Sequence, residues 1–156
     1  MAMKSILVLF SYHHKNTEKI ANVFSKVLDA KIKTAQQIDP TELHDYDMVG
    51  FGSGIYGEKH HDYLLNLADK LPQVTNRKAF IFSTSAIISE SKIAKDHLLL
   101  REKLQSKGYI IAGEFSCKGF NTNSFLRFIG GMNRGRPDAK DLKDAEEFAQ
   151  NLRQNL

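Results

Sequence analysis

The 156-residue chain contains one cysteine, three prolines and no tryptophan. A lone Cys117 excludes an intrachain disulfide framework and predicts a reducing, cytoplasmic setting. Pro40, Pro72 and Pro137 stand apart, and no repeat, low-complexity tract or linker surrounds them. One domain over residues 1–156 is therefore expected. Long apolar runs are missing as well. The longest, Ile6–Phe10, has five residues, which predicts neither a membrane-crossing helix nor the core of a secretion signal. Strong charge of one sign is absent: the net charge of +4 suits an anionic cofactor, an acidic partner or nucleic acid without choosing among them. Hydrophobic residues at 42% and charged residues at 26% exclude a disordered or fibrous chain.

What is present is an alternation of strand-like and helix-like segments. Ile6–Phe10, Lys31–Ala35, Asp47–Ser53, Lys78–Ser83 and Ile110–Ser116 read as strands. The first and fourth are nearly all apolar, as in central strands covered on both faces, and the second alternates like an edge strand. Four apolar stripes read as helices: Ile20, Phe24, Val27 and Leu28; Leu64, Leu67, Ala68 and Leu71, stopped by Pro72; Ile93, His97, Leu100 and Leu104, closed by Gly108; and Leu142, Ala145, Phe148, Ala149 and Leu152, entered through Pro137 and Asp138. All four stripes are expected to pack the core. Pro40–Leu43 makes a short connection in place of one helix. The order predicts an α/β three-layer sandwich with a five-stranded parallel sheet in the order 2-1-3-4-5. Ligands of such sheets bind outside the carboxyl ends of the strands.

Each strand end then becomes informative. After the first comes Ser11-Tyr12-His13-His14-Lys15-Asn16-Thr17, which offers hydroxyls, an amide, a lysine and helix N-terminal N–H groups to a phosphate, or simply a helix cap. After the third, residues 50–57 hold four of the ten glycines. Gly52-x-Gly54-x-x-Gly57 fits a dinucleotide fingerprint only formally, because it follows the third strand and no acidic residue ends the next one. A tight loop that lets the backbone approach a flat ligand, with Tyr56 free to stack, fits better. Ser83-Thr84-Ser85 ends the fourth strand with small hydroxyls, which turn chemistry alone would also explain. The segment from Lys118 to Arg136 carries four glycines, three phenylalanines and no acid, and is long for a loop in a compact domain. His13, His14, His60 and His61 are expected to meet on one rim. With no carboxylate or thiol at ligand spacing beside them, cofactor contact is expected there before zinc.

ILVLFSYHHKNTEKIA, MVGFGSGIYGEKHH and AFIFSTSA together make the chain resemble the flavodoxin family over essentially its whole length. The resemblance implies non-covalent FMN at the carboxyl edge. The family's phosphate loop, S/T-x-T-G-x-T, falls on Tyr12–Thr17: Asn16 and Thr17 match, Lys15 stands for the glycine, and Ser11 can supply the missing hydroxyl. By the same resemblance Ser11, His13, His14, Lys15, Asn16 and Thr17 would hold the phosphate end. Ser53, Gly54, Ile55, Tyr56 and Gly57 would run along the isoalloxazine, met by Ser83, Thr84 and Ser85 and by Gly119 and Phe120 of the last loop. Phe120, Phe125 and Phe128 would anchor that loop, leaving Lys118, Arg127, Arg134 and Arg136 as a positive rim around the mouth.

Other users of this fold fail on residues. A receiver domain needs a phosphorylatable aspartate after the third strand, where Ser53 stands, and a low-molecular-weight phosphatase needs a cysteine after the first. The expected function is therefore an FMN-binding redox protein of the electron-carrier type, with the flavin rather than a catalytic side chain carrying the chemistry. The alternatives are an oxidoreductase acting on a quinone or tetrapyrrole and, because of the altered phosphate loop, a flavin-free binding module. The partner is expected to be a redox protein or a small anionic or quinone substrate, with neither nucleic acid nor membrane insertion involved and no metal bound.

Overall fold

The computed structural model describes residues 3–11, 15–119 and 135–155. Five strands, β1 (Ser5–Phe10), β2 (Lys31–Thr34), β3 (Met48–Gly54), β4 (Arg77–Ser85) and β5 (Tyr109–Lys118), form one parallel sheet in the order β2-β1-β3-β4-β5. Helices α1 (Asn16–Leu28), α2 (Asp62–Lys70), α3 (Glu90–Ser106) and α4 (Ala139–Gln154) cover it. Pro40–Asp45 forms a short 3-10 helix, capped by Asp39 through the N–H of Thr41 at 2.9 Å. No helix among the described residues is long and apolar enough to cross a membrane.

Strand alternation sorts the core into two layers. Ile6, Val8, Val49, Phe51, Ala79 and Ile81 face α2 and α3, where Leu64, Leu67, Leu100 and Leu104 meet them. Leu7, Leu9, Phe80 and Phe82 face α1 and α4, where Ile20, Phe24, Ala145 and Ala149 complete the second layer. β1 is buried at every position, as its apolar run predicts.

Two of the four clustered glycines belong to this packing and not to a ligand loop, which corrects the sequence reading. A Cβ on Gly50 would lie 2.3 Å from the Phe80 ring, and one on Gly52 would lie 2.1 Å from the Phe82 ring. Both glycines sit inside β3 and leave room for neighbouring-strand rings to lie across the backbone. Only Gly54 and Gly57 reach the carboxyl edge.

Candidate functional site

The first corner of the carboxyl edge lies where β1 gives way to α1. Lys15, the helix N-cap residue, is left-handed, with φ 54° and ψ 36°. That conformation costs a non-glycine residue about 1 kcal/mol or more, and it stands where the flavodoxin pattern has glycine. No side chain among the described residues caps α1. Ser11, the residue after β1, has its Oγ buried without a hydrogen-bond partner among the described residues. The start of the last loop closes against this corner. A Cβ on Gly119 would be 2.6 Å from Asn16 Nδ2, and the Gly119 N–H donates to the Ser85 carbonyl at 3.1 Å. Thr17, 2% exposed, places its hydroxyl 3.0 Å from that of Thr84. Asn16, Thr17, Thr84, Ser85 and Gly119 thus converge from α1, the end of β4 and the start of the last loop. His13, His14 and Phe120 lie outside the described residues.

The Thr17–Thr84 bond ties α1 to the end of β4 in a buried position, so it is measurable. Thr17→Val and Thr84→Val should each lower stability by about 1 kcal/mol, and the double variant should lose little more than either single one. Urea unfolding of all four proteins checks this; fully additive losses would show that the two hydroxyls act separately.

The second corner is built by β3. Ile55 donates its N–H to the Thr84 carbonyl at 3.1 Å and pairs antiparallel with His60. Between them the Tyr56 N–H reaches the Lys59 carbonyl at 2.8 Å, and Gly57 and Glu58 have φ of 59° and 63°. Two successive positive φ values in a two-residue hairpin loop mark a type I′ turn, for which Gly57 is suited. Ser53 turns inward, its Oγ accepting from the His61 N–H at 3.0 Å and donating to the Gly54 carbonyl at 2.7 Å. Tyr56 folds back over Gly54 and meets His61 edge-on at 5.0 Å. His61 stacks on Phe10 at 3.9 Å and on Tyr63 at 5.1 Å, while its Nδ1 accepts the Tyr63 N–H and caps α2. Burial among these rings pulls His61 below the ordinary imidazole range, against Asp62. The result is an aromatic wall of Phe10, Tyr56, His61 and Tyr63 across the ends of β1 and β3.

His60 departs from the expected rim. It is 1% exposed and points inward, with Nε2–H donating to the Phe82 carbonyl at 3.0 Å and its ring 4.9 Å from that of His97. Burial, reinforced by His97, lowers its pKa to about 3. Ser83 also faces inward, because alternation sends Ile81 and Ser83 to the α3 side and Phe82 and Thr84 to the α1 side. Its Oγ lies 2.7 Å from His97 Nε2 and 2.9 Å from Ser116 Oγ. His97 Nδ1 is 2.9 Å from Glu114 Oε1, and Arg101 grips both oxygens of that carboxylate at 2.7 Å. Burial pushes Glu114 up, but the bonds from His97 and Arg101 outweigh it and hold the carboxyl at about 2. Sequence reasoning treated His97 as core and passed over Glu114 and Arg101. The available signals were an imidazole on an apolar stripe and a carboxylate in the middle of a strand.

The expected positive rim is also reduced. Arg136 does not face outward as a free cation: its guanidinium clamps Asp141, with Nη2 at 2.6 Å from Oδ1. Asp141 belongs to the capping box of α4 with Asp138. Arg127, Arg134 and the three loop phenylalanines lie outside the described residues. Among the described residues no group of three or more His, Cys, Asp or Glu side chains could hold a metal ion.

The chain is similar to known proteins in family, in sequence and in fold. A flavodoxin domain profile matches residues 7–122. The chain is 44% identical over 154 residues to Uncharacterized protein MJ0298 of Methanocaldococcus jannaschii, covering 98% of this chain and 100% of that one. Oxidised flavodoxin 2 from Bacillus cereus superposes with a TM-score of 0.75 at 17% identity, over 98% of this chain and 99% of that one. An NADH:FMN oxidoreductase superposes with a TM-score of 0.64 at 19% identity, over 98% and 90%. With its 2-1-3-4-5 sheet and this domain match, the chain belongs to the flavodoxin family.

Proposed function

We propose that the chain binds FMN non-covalently at the carboxyl edge and works as a flavodoxin-type electron carrier. The observation that carries this reading is the first corner of the edge. Among the described residues the buried Ser11 hydroxyl has no hydrogen-bond partner and no side chain caps α1, so a dianionic phosphate at this helix N-terminus would gain donors from both. The donor set fits the phosphate, and the aromatic wall fits a flat ring.

In this reading Ser11, Lys15, Asn16 and Thr17, with His13 and His14 on sequence grounds, hold the phosphate. Gly54, Ile55, Tyr56 and Gly57 line one side of the ring; Thr84, Ser85 and Gly119, with Phe120 on sequence grounds, line the other. Ser53 and Ser83 serve through backbone and shape, since their hydroxyls are engaged within the fold. Bound FMN supplies one- and two-electron redox chemistry. The protein binds it, orients it, limits water and presents its edge to a partner.

Titration of the full-length apoprotein with FMN, followed by fluorescence quenching, tests the reading. Saturable quenching and a yellow protein are expected, and Ser11→Ala or Asn16→Ala should weaken binding roughly tenfold or more. Folded protein that leaves FMN fluorescence unchanged would overturn it in favour of a flavin-free module. The net charge of +4 suits a small anionic substrate as well as an acidic partner, so oxidoreductase activity is the second reading. Steady-state turnover with NAD(P)H and quinones separates the two: a carrier turns over little without a reductase.

A further inference from the structure

The α4 face of the sheet opens at the end opposite the candidate cofactor edge. Lys78 is the second residue of β4 and Ser85 its last, which puts them about 20 Å apart along the strand. The β4–β5 pairing slips between Ala79 and Phe80: Ala79 faces Ile111 and Phe80 faces Gly113, so Ala112 is an extra, unpaired residue of β5. Such a bulge bends the strand that carries it. At Gly113 α4 lies close on the sheet, since a Cβ there would be 3.1 Å from the Phe148 ring and 3.3 Å from Leu152. Towards Ile110 the two elements leave an open groove of about 250 Å³.

Ile110 and Ala112 of β5 and Phe148 and Leu152 of α4 give the groove its apolar walls. Ile110 is 55% exposed on an edge strand. The polar groups of the lining are Lys78, Asn151 and Asn155, and no acidic side chain is among them. Alternation puts Lys78 on the same face of β4 as Phe80, towards α4. Lys78 is half-buried and has no ion-pair partner among the described residues, whereas Arg77 beside it is held by Asp47 and by the His44 carbonyl. The side-chain amides of Asn151 and Asn155, one turn apart on α4, are likewise not engaged by other described residues. A lone ammonium next to apolar walls, with no carboxylate to compete, selects an anion with an apolar body. Two amides and one ammonium match the two oxygens and single charge of a carboxylate. The volume is the liquid share of roughly eight waters, so a ligand of about ten non-hydrogen atoms fills it.

We propose that the groove between the β5 bulge and the last turns of α4 binds a small monocarboxylate with a compact apolar body. Lys78, Asn151 and Asn155 take the carboxylate, and Ile110, Ala112, Phe148 and Leu152 take the body. The site is separate from the carboxyl edge and does not rest on the FMN reading.

Phenylacetate is the probe, titrated into the full-length protein and followed by backbone and side-chain amide NMR. Saturable shifts centred on Ile110, Ala112, Asn151 and Asn155 are expected. Acetate, which lacks the body, and 2-phenylethanol, which lacks the charge, should each bind at least tenfold more weakly. Lys78→Gln should weaken phenylacetate tenfold or more. Ala112→Phe, a substitution at an exposed position, should fill the groove and abolish the shifts; the same spectra show whether each variant is folded. Shifts that never saturate, or an affinity unchanged in Lys78→Gln, overturn the proposal. Added FMN should leave the phenylacetate affinity unchanged, and displacement of phenylacetate by FMN would move the site to the carboxyl edge and overturn it too. Failure of FMN to bind removes the functional reading above and leaves this result standing. Sedimentation of the unliganded protein completes the test: a dimer that Ala112→Phe dissolves would give the groove to a second copy of the chain and overturn the small-molecule assignment.

Discussion

Acidification from pH 6.5 towards 3 should remove about 4 kcal/mol of folding stability through His60 alone, because each pH unit in that window is worth about 1.4 kcal/mol per group. In the folded protein His60 stays neutral down to about 3, as burial first and His97 second oppose its charging. In the unfolded chain the same ring protonates near its ordinary value. Between the two values the unfolded state therefore binds the extra proton. The contribution of His60 is fully present above the unfolded value and is lost as pH falls through the window. His60→Gln keeps an amide donor for the Phe82 carbonyl and removes the titration. Urea unfolding at a series of pH values should show wild type losing stability more steeply than His60→Gln, and parallel profiles would sink the assignment. Glu114 is shifted in the same downward direction, in a lower window. Its folded value near 2 makes its contribution present above about 4.5 and lost below that, equally in both proteins.

His60 also marks the limit of what could be read from sequence. Local pattern gives its place after the third strand but not its direction. The groups that enclose it come from β4 and α3, tens of residues away, and burial is set by them. The adjacent His61 goes the other way, onto Phe10, because a strand-like extension alternates its side chains. Where local pattern alone decides, the sequence was sufficient. The apolar runs of β1 and β4, the four helical stripes and the entry of α4 at Asp138 all stand where the periodicity predicts them. β4 and β5 run further than expected, to Ser85 and Lys118, since pairing between them continues past the apolar residues. The glycine run divided for the same reason: ring-over-backbone contact with Phe80 and Phe82 is a property of strand register, invisible in a single segment. Arg136 was miscounted as rim charge because its partner, Asp141, lies beyond the loop boundary, in the first turn of α4.

The largest loss from a single side chain is expected at Phe24, where Phe24→Ala should cost about 3–5 kcal/mol. Phe24 is fully buried in α1 and meets Phe80, Phe82 and Phe115 edge-on at 5.5, 5.1 and 5.7 Å, with Phe148 of α4 tilted at 5.7 Å. Edge-to-face pairs add roughly 0.5–1.5 kcal/mol beyond area alone, so removal of the hub loses several at once. The cavity also resists collapse. Phe80 and Phe82 lie across Gly50 and Gly52 and have little freedom to swing into the space. The same variant separates stability from binding. Phe24 lies two turns along α1 from Thr17, and the first-turn groups proposed for the phosphate do not touch it. Added FMN should therefore raise the unfolding free energy of Phe24→Ala by as much as that of wild type, since the increment depends only on ligand concentration and affinity. Urea unfolding with and without FMN measures both quantities. A loss under about 1 kcal/mol would mean that the aromatic layer repacks. A folded variant that no longer gains from FMN would mean that the phosphate corner depends on the core beneath α1 and is not preformed at its N-terminus.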